Sequence, residues 1–135
     1  MVRSLLFVFV SALLAASPAW GHHSHAMYES DLEVTLVGTV HQLQWSNPHV
    51  FLYLVVEDEN GETSNWALEG GSPSALLRQG WPRGDPKPGD EVTVTVRPLK
   101  VGRGGLIRRV TFADNSEFVY RGGPESSLQD NRPQQ

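Results

Sequence analysis

The chain has 135 residues, a formal net charge of −4 and no cysteine. Disulfides, thiolate zinc sites and cysteine nucleophiles are thereby excluded. The acidic balance argues against nucleic acid and against docking on an anionic membrane, since both draw on Lys and Arg.

In chain order, the first element reads as a secretory signal over residues 1–21. Arg3 supplies the positive start, and Leu5 to Ala16 is an apolar run too short to span a bilayer. Pro18 breaks any helix, and small residues follow. Cleavage after Gly21, with Ala19 two residues before it, would release a chain beginning at His22 and is preferred. Cleavage after Ala19 would instead begin the chain at Trp20. Losing residues 1–21 removes Arg3 and no acid, so the net charge of −4 becomes −5. No comparable apolar run follows, which predicts a periplasmic or secreted product without a membrane span after cleavage. Residues 22–31 form a histidine-rich segment, residues 32–120 one folded domain, and residues 121–135 a polar tail that lacks the apolar content to fold.

Within the domain, Val34, Leu36, Gly38 and Val40 share one face of a strand by period two. The apolar parity then moves to Leu43 and Trp45, which predicts a bulge near His41 or Gln42. Gly38 predicts a bend or a close backbone approach. After the turn Ser46-Asn47-Pro48, a second strand runs from His49 to Glu57. Both of its faces are largely apolar, which predicts cover on both sides. Asn60-Gly61 makes a hairpin turn to a third strand, about Ser64 to Glu69. Ser72 reads as a helix N-cap with Pro73 at the first helical position and Gly80 as the stop. A fourth strand carries Val92, Val94 and Val96 inward. Gly102 to Gly105 reads as a flexible turn, and a fifth strand spans Leu106 to Phe112, with a final hairpin to Phe118-Val119-Tyr120. The fold class is therefore all-β with one short helix, in the order of a small five-stranded OB-fold-like barrel. An open β-sandwich with a helical insert is the alternative.

All five histidines lie between residues 22 and 49. A chain starting at His22 offers its α-amine and its imidazole to one metal, and both groups can be neutral near physiological pH. One more histidine completes a planar three-nitrogen site, a histidine brace, which suits Cu(II) or Ni(II). A chain starting at Trp20 places His22 third, where amine, backbone amides and imidazole make a square-planar site for the same metals. Exposed His-rich ends also bind metal without a biological role. His49, held on a constrained backbone behind Pro48, is suited to be a fixed ligand that meets a mobile terminus, or else to cap its strand. The metal candidates are thus His22, His23, His49 and His25, with Cu(II) expected and nickel or zinc as the other metals these donors accept. His41 reads as structural. Glu69 and Asp31 are exposed carboxylates by default and ligands otherwise, and Asn47 either orients a liganding imidazole or simply makes its turn.

Several motifs together resemble the proteins grouped as domain of unknown function family 6152. These are the His-His-Ser start, Gly38-Thr39-Val40, Trp45-x-Asn47-Pro48-His49, Asn65-Trp66-x-x-Glu69-x-Gly71-Ser72-Pro73 and Lys87-Pro88-Gly89-Asp90. The resemblance spans about residues 21 to 120. It implies a small exported β-rich protein of proteobacterial type and brings no activity. In that family His-His-Ser is usually followed by an aromatic residue. His25 departs from this pattern, which shifts weight to His22, His23 and His49.

No catalytic constellation is evident, so the expected role is a non-enzymatic one: exported copper carriage or buffering, with a periplasmic protein as a further partner. The alternative is a metal-free OB-type module that holds a protein or oligosaccharide on a surface lined by Phe51, Tyr53 and Trp66. A copper-dependent oxidase ranks last, since only analogy supports it.

Overall fold

The computed structural model describes residues 27–122. The expected signal segment, His22, His23, His25 and residues 123–135 of the expected tail lie outside the described residues. Six strands and one helix follow in order: β1 (Val34–Gln44), β2 (Phe51–Glu57), β3 (Thr63–Glu69), α1 (Pro73–Arg78), β4 (Glu91–Pro98), β5 (Gly104–Thr111) and β6 (Glu117–Val119). The sheet order is β3-β2-β1-β4-β5-β6, and β3 also pairs with β5, so β1 to β5 close into a five-stranded barrel. This is the expected all-β, OB-fold-like architecture with one short helix.

Alternation along β1 drives the closure. Leu36, Gly38 and Val40 are buried and their neighbours exposed. The pairing with β2 shifts between Val40 and Gln42, leaving His41 as the extra residue. The bulge therefore falls where the apolar parity changes, and Leu43 returns to the interior opposite Leu52. A Cβ on Gly38 would lie 2.8 Å from the Val55 carbonyl oxygen, so the bare glycine lets β1 coil tightly over β2.

The last seam is parallel: Ala67, Leu68 and Glu69 of β3 pair with Gly104, Gly105 and Leu106 of β5. At Gly104 a Cβ would meet Leu99 at 2.7 Å and the Ala67 carbonyl oxygen at 2.9 Å. The glycine pair expected as a flexible turn is thus buried strand, because only bare backbone fits this seam. β6 then continues along the same edge of β5, pairing with Arg109 to Thr111.

The interior is filled by Val50, Leu52, Leu54, Leu68, Val92, Val94, Val96, Ile107 and Val110, all nearly inaccessible to solvent. Ser72 caps α1 as expected, its hydroxyl accepting from the Ala75 N–H at 3.3 Å. Leu76 of α1 and Trp81 join the same core. The Trp81 ring packs against Phe118 at 4.9 Å and Phe112 at 5.6 Å.

Two expectations change here. The outer face of β2 is half-exposed at Phe51, Tyr53 and Val55, so among the described residues β2 is covered on one side only. Trp66 pairs with the inward Leu54 and packs against the core, so it does not share the outer surface of Phe51 and Tyr53. Parity along β3 puts it on the face of Leu68.

Candidate metal centre

The site begins at the loop between β1 and β2. The Asn47-Pro48 bond is cis, and His49 follows. Val50 is fully buried, and its backbone exchanges hydrogen bonds with the chain after β3: its N–H donates to Gly71 at 3.0 Å and its carbonyl accepts from Gly70 at 2.8 Å. With Val50 turned inward, alternation turns His49 outward, onto the face of Phe51 and Tyr53. Those two rings stack at 6.2 Å.

Glu69 ends β3 directly opposite Phe51, one residue past the buried Leu68. It therefore emerges on the same outer face as His49. His49 Nδ1 lies 2.5 Å from Glu69 Oε1, with the two side chains 33% and 20% exposed. Such a half-buried, charge-assisted contact holds the imidazole in one orientation.

The second oxygen of the same carboxylate is taken by Tyr28. The chain enters the fold here: Tyr28 bridges Leu99, the Glu29 N–H donates to Pro98 at 2.9 Å, and the Lys100 N–H donates to Met27 at 3.0 Å. The Tyr28 ring is 8% exposed, and its hydroxyl donates to Glu69 Oε2. Burial pushes its phenol well above the ordinary tyrosine value, and the hydrogen bond and charge of Glu69 push it the same way. Tyr28 is thus a fixed donor at neutral pH.

A second phenol approaches from β6. A Cβ on Gly71 would lie 2.9 Å from the Tyr120 hydroxyl, so the bare backbone there leaves room for the ring. Burial raises the Tyr120 phenol, the Arg108 guanidinium opposes this, and Glu69 adds to the rise. Arg108 is the extra residue where the β4–β5 register shifts. It faces Glu33 at 3.5 Å and donates to the Gly122 carbonyl at 3.2 Å. The Arg121 N–H donates to Gln79 at 2.7 Å, so the first residues of the expected tail are held against the barrel.

Of the sequence candidates, His49 sits in this cluster, while His22, His23 and His25 lie outside the described residues. His41 is exposed on its bulge. Asp31 is exposed and accepts from the Ser30 hydroxyl at 3.0 Å. Asn47 is exposed in its turn, and the residue that orients His49 is Glu69. Among the described residues no three His, Cys, Asp or Glu side chains are grouped to hold a metal ion. Sequence reasoning missed Tyr28 and Tyr120. The one available signal for Tyr28 was a lone aromatic between the histidines and β1.

The model of a family of unknown function, DUF6152, matches residues 10–108. The chain belongs to DUF6152. The match includes the entry segment at Tyr28, the His49 loop, Glu69 and the start of β5, so in this DUF6152 member the cluster lies almost wholly within the family's span. Tyr120 lies beyond it. No curated protein is significantly similar to the chain. Among the described residues no helix is long and apolar enough to cross a membrane.

Proposed function

We propose that this DUF6152 member is an exported, periplasmic Cu(II)-binding protein that carries or buffers copper, using His49 with the N-terminal histidines His22, His23 and His25. The observation that carries this reading is the shared carboxylate of Glu69. One of its oxygens holds His49, and the other holds Tyr28, where the N-terminal segment joins the barrel. Tyr28 follows His25 by three positions and His22 by six. An extended chain reaches at most about 3.3–3.6 Å per residue, so the backbones of His25 and His22 can lie no further than about 10 and 20 Å from that of Tyr28. A site at His49 can therefore draw nitrogen donors from that segment, and nitrogen donors around a tetragonal ion suit Cu(II), with Ni(II) and zinc as weaker competitors.

The test is the mature protein recovered from the periplasm. Its denatured mass is expected to begin at His22 and its native mass to include one copper ion. Titration with Cu(II), followed by electron paramagnetic resonance, is expected to give a tetragonal signal with nitrogen couplings that changes in His49→Ala. An unchanged spectrum and affinity in that variant, or a mature chain starting beyond His25, overturns the reading.

One observation favours a second reading, a metal-free binding surface: the stacked Phe51 and Tyr53 rings lie on the outer face beside His49. It predicts that partner capture survives chelation and is lost in Phe51→Ala.

A further inference from the structure

We propose that Glu69 is a positioning residue of the metal site, which holds His49 in the Nδ1–H tautomer and presents Nε2 as the metal-binding nitrogen. This inference rests on the copper reading for its second half only. Three observations carry it. The Glu69 carboxylate has both oxygens engaged, Oε1 by His49 and Oε2 by the Tyr28 hydroxyl, so as placed it acts on the imidazole and holds the chain at Tyr28. Its contact to His49 is made at Nδ1, and a carboxylate acceptor there requires the proton on that nitrogen, which in the neutral imidazole puts the lone pair on Nε2. Glu69 is also rigidly held. It sits at the closing seam of the barrel, paired on one side with Phe51 of β2 and on the other with Leu106 of β5. A carboxylate behind a liganding imidazole raises its basicity and fixes its ring plane, and loss of such a partner typically costs about 10–100-fold in metal affinity.

The arrangement also makes one carboxylate the joint between ligand and tail. A metal on Nε2 withdraws electron density from the ring and strengthens the Nδ1–H···Glu69 bond. The other oxygen holds Tyr28, which follows His25 by three positions in the sequence, so metal binding at His49 and anchoring of the chain at Tyr28 act on one group.

The decisive comparison is wild type, Glu69→Gln and Glu69→Ala in the mature full-length protein. Imidazole ¹⁵N shifts are measured without metal, above the ordinary titration range of histidine. Wild type is expected to show the Nδ1–H tautomer at His49. Glu69→Gln retains an accepting oxygen and is expected to keep that tautomer. Glu69→Ala is expected to move toward Nε2–H and to bind Cu(II) about 10–100-fold more weakly, with altered nitrogen couplings, while Glu69→Gln recovers most of the affinity. An unchanged tautomer in Glu69→Ala overturns the positioning role. A changed tautomer with unchanged Cu(II) affinity overturns its link to the metal. A wild type that binds no Cu(II) overturns the copper reading and that link together, and the tautomer measurement still decides what Glu69 does to His49.

Discussion

Replacing Tyr28 by Phe tests whether the N-terminal segment is anchored by its phenol. The ring is almost wholly buried, so Phe keeps the packing and removes only the hydroxyl that donates to Glu69. A hydrogen bond to a charged acceptor contributes about 1.5–3 kcal/mol. Glu69 keeps a fifth of its side chain exposed and retains His49 in the variant, which favours the lower end, about 1.5 kcal/mol. For a domain of this size that is a drop of about 6–12 °C in melting temperature. The pH dependence follows from the raised phenol. The folded state holds the Tyr28 proton more tightly than the unfolded chain does, so this stabilisation is complete below the ordinary tyrosine value of 10.0. It is lost as pH rises above that value through the higher folded one. Urea unfolding of both proteins across neutral to strongly alkaline pH is the assay. The gap between them should be constant up to about pH 10 and should then close. Equal midpoints at neutral pH, or a gap that persists undiminished in strong alkali, would refute the reasoning.

Trp81→Ala should destabilise the fold by about 3–5 kcal/mol, because the indole fills the core between Trp45, Phe112 and Phe118. Urea unfolding checks this, and a loss below about 1 kcal/mol would contradict the packing role. Gly104→Ala should cost about 1–3 kcal/mol by forcing a methyl group into Leu99 and the Ala67 carbonyl. Hydrogen exchange should then quicken at the Leu99 amide, which bonds Gly104 across the turn. Ser72→Ala should cost about 1 kcal/mol through loss of the α1 cap, read from thermal unfolding.

The features legible in the sequence are those set by neighbours along the chain. The parity change between Val40 and Leu43 marks the bulge at His41, because an apolar side chain cannot stay inward across it unless the strand gains a residue. Ser72-Pro73 announces α1 because its cap and first turn lie within four residues. The strand order then suggests the barrel. The placing of Trp66 beside Phe51 and Tyr53 and the reading of Gly104 as turn fail for the same kind of reason. The face of Trp66 depends on where Leu68 points, and Gly104 looks like turn chemistry until the β3–β5 seam is formed.

The centre itself divides along the same line. The clustering of five histidines before residue 50, the constrained backbone at Pro48-His49 and the carboxylate at Glu69 are all present in the sequence. Their roles are not. Tyr28 and Glu69 are 41 residues apart, and His49 meets Glu69 only because β2 and β3 run antiparallel with Phe51 opposite Glu69. Sequence periodicity settles which residues turn outward from each strand. Only the register of the closed sheet decides which outward residues become neighbours, and that register follows from burying Val50, Leu52 and Leu68 together in one core.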